Sequence, residues 1–165
     1  SKFYRHIFVP IIQTYNENEH FNLNDIINRI EYFSLYNSAI RIFKENPTFG
    51  SGLKTFRYES YSLKKENISI YGASTHPHQI HFEFLSETGL FGYISFLLFI
   101  LTSLFLSIKN YLKHKNFYQL ATILYVCVSL LPILPSGSFF STFSSSLFWI
   151  NYAIMVGYIK DTTKS

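Results

Sequence analysis

The sequence predicts an all-α integral membrane chain in two parts, an outer part with amphipathic helices followed by three membrane-spanning helices. Three observations predict it. Hydrophobic residues make up 48% of the 165 and aromatic residues 19%, including 18 Phe and 13 Tyr, while only 15% are charged, a balance unlike that of an ordinary soluble domain. The apolar residues gather in long runs in the second half, so the mean hydropathy is only +0.13. Residues 1–88 hold nine Lys or Arg and nine Asp or Glu, whereas residues 89–165 hold five and one. The whole net charge of +4 therefore lies in the second part.

In the first part, residues 1–88, Asn24 or Asp25 caps an amphipathic stretch from Ile26 to Lys44. There Ile26, Ile30, Phe33, Tyr36, Ile40 and Phe43 recur at spacings of three or four, the period of a helix of about five turns. It ends at Asn46 and Pro47, and Gly50, Ser51 and Gly52 turn the chain sharply before Phe56. Residues 57–75 read as an ordered but irregular loop. Gln79 to Thr88 reads as a short helix that puts His78, His81, Phe82 and Leu85 on neighbouring positions. Gly89 and Gly92 then permit close backbone approach.

The second part, residues 89–165, holds the spans, since a bilayer core requires roughly 20 apolar residues in a helix. They are expected at about 90–108, 119–134 and 143–159. Lys109, Lys113 and Lys115 follow the first span and Lys160 and Lys164 the third, and by the positive-inside rule both groups belong in the cytoplasm. Residues 1–88 then face outward. Pro132 and Pro135 break the outer end of the second span, and Ser136 to Ser141 reads as a tight exterior turn, with a re-entrant loop as the alternative. Cys127, the single cysteine, reads as a small packing residue within a span, and an intrachain disulfide is excluded. The absence of an initiator Met and a signal peptide reads as the start of a piece of a longer membrane protein.

No repeat, heptad seam, phosphate-cradling glycine loop or basic nucleic-acid face is present. The concentration of chemistry lies between Thr75 and Gly89, where His76, His78, His81, Glu83 and Glu87 stand immediately before an apolar run. Ionisable groups beside a membrane are expensive unless they are used. A transporter or channel would place such groups within its spans, yet residues 90–108 and 119–159 contain only Cys127 and tyrosines. That pattern counts against transport.

His78, Gln79, nine residues, Gly89, two residues and Gly92 resemble the pattern of the O-antigen ligase and polymerase superfamily. Asn46, Pro47, Thr48, Phe49, Gly50, Ser51 and Gly52, followed by Phe56 and Arg57, resemble that family's outer loop before the histidine, and Pro135 to Phe140 is similar to its later turn. The resemblance implies the C-terminal part of a multi-pass GT-C-like enzyme of the bacterial inner membrane, with a periplasmic loop at 1–88 and a cytoplasmic C-terminus. It implies an inverting, metal-independent glycosyltransferase without cofactors, inactive as an isolated piece. Such enzymes move a glycan from undecaprenyl diphosphate to a sugar hydroxyl, on lipid A core in ligases or on another repeat unit in polymerases.

By this resemblance His78 is the catalytic base or orienter, since imidazole titrates near neutral pH and a sugar hydroxyl does not ionise alone. The structural alternative is a helix-capping histidine beneath Pro77. Arg5, Arg29, Arg41 and Arg57 are the candidate diphosphate ligands, because guanidinium groups can meet the charge that develops on the leaving diphosphate. The bland reading of each is a solvated surface cation. Glu87 is expected to pair with an arginine or a backbone end, and His76 and His81 to steady the loop. Convergence of the three histidines on a metal is the weaker reading, because arginines already neutralise a diphosphate. Tyr58, Tyr61 and Tyr71 read as interfacial packing rather than sugar platforms. Some relatives carry cysteines beside the loop before the histidine; here Ser60 and Ala73 to Thr75 stand there, so packing is expected to hold it.

Overall fold

The computed structural model describes residues 12, 31–65, 73–132 and 134–159, and among them every regular element is a helix. Five helices follow one another: α1 (Glu31–Glu45), α2 (Phe56–Lys65), α3 (Ile80–His114), α4 (Phe117–Ser129) and α5 (Thr142–Gly157). Arg5, Arg29, the Asn24 or Asp25 cap, Tyr71, Lys160 and Lys164 lie outside the described residues.

Within α1 the buried face is Leu35, Ser38, Ala39 and Ile42, while Phe33 and Ile40, expected on the apolar face, are 50% and 38% exposed. The buried row mixes Leu35 and Ile42 with the small Ser34, Ser38 and Ala39, and Phe33 and Ile40 lie outside it. Tyr36, one residue from the buried row, stacks on Phe82 with ring centroids 4.6 Å apart. Ala39, Ile42, Phe56 and Leu63 close this outer cluster. The expectation of an irregular loop over 57–75 is corrected, since α2 occupies its first half. The spacings of four and three between Phe56, Ser60 and Leu63 bury one face of α2, a signal diluted by the lysines and tyrosines on its other faces.

α3 is two helices joined at a break. Gly89 has φ 67° and ψ −171°, and the chain reverses there, so segment 80–88 lies back along the start of segment 90–114. The Phe84 and Phe96 rings stack with centroids 4.1 Å apart; twelve residues would separate them by about 18 Å along an unbroken helix. α3 is the one described helix long and apolar enough to cross a membrane, with a mean hydropathy of 2.2 over its most apolar stretch. It continues past the expected limit at 108 to His114, where Lys115 takes a left-handed conformation and its N–H donates to the Tyr111 carbonyl. Asn116 then caps α4 by accepting from the N–H groups of Tyr118 and Gln119.

α4 and α5 are shorter than the spans expected at 119–134 and 143–159. At 13 residues, α4 extends about 20 Å. It stops at Ser129 because Pro132 cannot donate to the ladder. Segments 90–114, α4 and α5 pack around Ile100, Val126, Phe148 and Met155. At one end of this bundle the Asn110 amide donates to Gln119 Oε1 and to the Tyr158 carbonyl, at 3.0 Å each.

Candidate functional site

The break at Gly89 positions everything around it. A helix that reverses leaves carbonyls and N–H groups without intrahelical partners, and the Asn46 to Gly52 loop supplies them. Ser51 and Gly52 donate to the carbonyls of Ser86 and Glu87, at 2.9 and 3.0 Å. Leu90 and Phe91 donate to those of Pro47 and Thr48, at 2.8 and 3.1 Å. The two backbones cross so closely that a Cβ on Gly89 would stand 2.5 Å from Gly50 N and from the Thr48 carbonyl. A Cβ on Gly50, whose φ is 72°, would stand 2.4 Å from the Glu87 carbonyl carbon.

Two carboxylates on 80–88 anchor the segments that flank this crossing. Glu87, 2% exposed, accepts from the Lys54 N–H at 2.6 Å and the Phe56 N–H at 3.2 Å. It thus caps the start of α2. Burial raises its proton affinity, while those hydrogen bonds and the charge of Arg57 lower it. Glu83, one turn earlier and 1% exposed, accepts from the Ser138 hydroxyl and, at 2.7 Å, from the Phe139 N–H. Burial pushes its pKa up to about 7, against the opposing pull of those two donors. Ser136 donates to the His78 carbonyl at 2.8 Å. The exterior turn expected at 136–141 is therefore docked on 78–84, with Phe139 in the apolar core. Glu83 was named from the sequence among the ionisable residues before the apolar run but not as an anchor; its spacing of four from Glu87, on the same helical face, was the available signal.

Gln79 starts 80–88. Its side-chain oxygen accepts from the N–H groups of His81 and Phe82, at 2.7 and 3.1 Å. Before it, His78 adopts a left-handed backbone conformation with φ 56°, which turns its ring toward the ring of His76, centroids 4.0 Å apart, and against the edge of Tyr32. His76 Nδ1 lies 3.0 Å from the Thr75 hydroxyl, and its Nε2 is buried without a hydrogen-bond partner among the described residues. Burial, and then the charges of His78 and Arg57, lower the His76 pKa to about 4, so it is neutral at pH 7. Ser60 and Ser74 exchange hydrogen bonds of 3.1 and 3.3 Å. The loop before the histidines is thus tied by these bonds as well as by packing.

His81 stands apart from the other two. Its Nε2 bonds the Leu130 carbonyl at 2.8 Å and its Nδ1 the Tyr93 hydroxyl at 3.0 Å. A carbonyl only accepts, so Nε2 carries a proton. That carbonyl is free because α4 has already ended, and His81 ties it to 80–88.

A cleft of about 420 Å³ opens beside His76, with Lys54, Arg57 and Thr75 on one wall and Ser138 and Ser141 on the other. Of the two named arginines among the described residues, Arg57 rather than Arg41 is brought to the histidines. Arg41 is exposed on α1, nine residues or about 14 Å along the axis from Tyr32, whose ring meets His78. The arrangement offers cations, hydroxyl donors and a neutral imidazole around one opening, near the N-terminal end of the long apolar helix.

Comparison with known proteins gives one match. The family model described as O-antigen ligase matches residues 7–97, more than half of the chain. No curated protein and no solved structure matches.

Proposed function

Since the chain belongs to the O-antigen ligase family, whose members are membrane-associated and transfer lipid-linked glycans to acceptors, we propose that it joins a glycan from undecaprenyl diphosphate to a sugar hydroxyl of lipid A core. The observation that supports this reading is the cleft that Arg57 and Lys54 line together with His76, whose ring lies 4.0 Å from that of His78. The protein sits in the bacterial inner membrane, with residues 1–88 periplasmic and the C-terminus cytoplasmic. Transfer to another repeat unit, the polymerase reaction, uses the same groups and differs in acceptor.

In this mechanism the acceptor hydroxyl approaches the anomeric carbon opposite the diphosphate. His78 accepts the hydroxyl proton as the new C–O bond forms, and the bond to the diphosphate oxygen breaks. Negative charge then grows on phosphate oxygens, where the Arg57 guanidinium donates paired hydrogen bonds and Lys54 adds a point charge. His76, neutral beside His78, leaves the pair with room for one proton. Glu87 holds the start of α2, and with it Lys54 and Arg57, at a fixed height. His81 fixes 80–88 against the end of α4. Arg5, Arg29 and Arg41 belong to the diphosphate set only if other parts of the chain bring them to this cleft.

The test is transfer of lipid-linked glycan in membranes at matched expression. His78→Ala is expected to abolish transfer while carrier binding persists. Arg57→Ala is expected to slow it by about 10- to 100-fold, the loss of one charge-assisted pair, and more than Arg41→Ala does. Unchanged transfer in His78→Ala would sink the mechanism. Acceptance of lipid A core, but not of a free repeat unit, separates ligase from polymerase.

A further inference from the structure

Phe49 lies in the loop that fills the break at Gly89, yet it joins neither apolar cluster and is 72% exposed. Its ring meets that of Phe91, centroids 5.9 Å apart. The loop is bonded to the start of 90–114 through the N–H groups of Leu90 and Phe91, so the height of Phe49 along that helix is set by the backbone.

Phe91 begins a row that continues through Leu98, Phe105 and Leu112, which are 66%, 62%, 68% and 59% exposed. A spacing of seven drifts only about 20° around a helix, so the four form one stripe. From Phe91 to Leu112 the stripe is about 32 Å long, close to the roughly 30 Å of a bilayer's hydrocarbon core. Lys113 and Lys115 follow its far end, where cations meet headgroups. Phe49 marks its near end.

We infer that Phe49 is an interfacial anchor, its ring seated among lipid acyl chains at the outer boundary of the hydrocarbon beside Phe91. An exposed Phe gains by burying its ring at the boundary between headgroups and acyl chains. The consequence rests on the proposed function: Lys54, five residues on and bonded to Glu87, is then held with Arg57 at headgroup level, where a lipid-linked diphosphate lies.

Trp149 is the only tryptophan, which allows a direct test. In a Trp149→Phe background, Phe49→Trp and, separately, Phe91→Trp are placed in phosphatidylcholine vesicles whose chains are brominated near the glycerol end or near the methyl end. Both tryptophans are expected to be quenched most by the bromines near glycerol and to be shielded from aqueous iodide. Quenching of Phe49→Trp by iodide, or by neither agent, overturns the anchor even where Phe91→Trp is quenched by lipid. Shielding of Phe91→Trp from both agents means that protein covers the stripe, and the inference falls. Because fluorescence is read without turnover, these outcomes stand apart from the fate of the glycosyl-transfer reading.

Discussion

His78 combines the side chain proposed as the base with a left-handed backbone, a conformation that costs most residues about 1–2 kcal/mol but is tolerated by His and Asn. His78→Asn is therefore expected to abolish transfer with little change in Tm. His78→Val, β-branched at the same φ, should lose transfer and also about 1–2 kcal/mol of stability. Thermal unfolding in detergent beside the transfer assay checks both, and a large drop in Tm for Asn would mean that the ring is structural. Glu83 has the opposite character, a carboxyl whose proton is held more tightly in the fold than outside it. Between its ordinary value of 4.5 and about 7 the folded protein binds the proton and the unfolded chain releases it. This contribution is thus fully favourable below 4.5, falls as pH rises through that window, and is flat above it. Glu83→Gln keeps an acceptor for the Phe139 N–H and carries no charge, so it should flatten the dependence of Tm on pH between 5 and 8. An unaltered profile would remove Glu83 as its source. Glu83→Ala, which orphans the two donors, should lower stability by about 1–3 kcal/mol.

At the scale of elements, the reversal at Gly89 and the loop at 46–52 are one unit, since each satisfies the other's backbone. Gly89→Ala would force a Cβ into the Thr48 carbonyl at a positive φ and is expected to cost about 3 kcal/mol or more through strain and lost hydrogen bonds. Gly50→Ala strikes the same crossing from the other side, so the double variant should lose much less than the sum. Gly157, where a Cβ would meet nothing within 4 Å, is the control and should tolerate Ala. Yield of monodisperse protein and Tm report all four, and additive losses would show that the two sites are independent. The motif spacing thereby acquires a physical meaning. Nine residues from Gln79 to Gly89 are the two and a half turns that bring Glu83 and Glu87 to their partners before the chain turns back.

Over the whole molecule, the proposed topology puts the lysines on one side of the bilayer and the cleft on the other. In a Cys127→Ser background, Tyr58→Cys, at a site 73% exposed on α2, should react with a membrane-impermeant maleimide in intact spheroplasts. Lys115→Cys should react only after permeabilisation. The reverse pattern would invert the topology and place the cleft in the cytoplasm. At the lysine end of the bundle the Asn110 amide joins α3 to α4 and to the residue after α5. Asn110→Leu is expected to loosen that end by about 0.6–2 kcal/mol, seen as a lower Tm with the cleft end unaffected.

The helical class, the long apolar helix and the family were legible in the sequence, because period, length and motif spacing are local properties that a chain carries before it folds. The helix start at Gln79 was legible for the same reason. Which cation stands by the histidines was not: Arg41 and Arg57 are alike as sequence, and only the capping of α2 by Glu87 brings Arg57 to the cleft. The buried face of α1 was misjudged because Leu35, Ser38, Ala39 and Ile42, rather than Phe33 and Ile40, turn toward the rest of the fold. Glu83 was visible as a residue but not as an anchor, since its partners lie 55 and 56 residues away. Hydrogen bonds over such separations belong to the tertiary structure alone, since whether a buried carboxylate is satisfied is decided by the segment that docks against it.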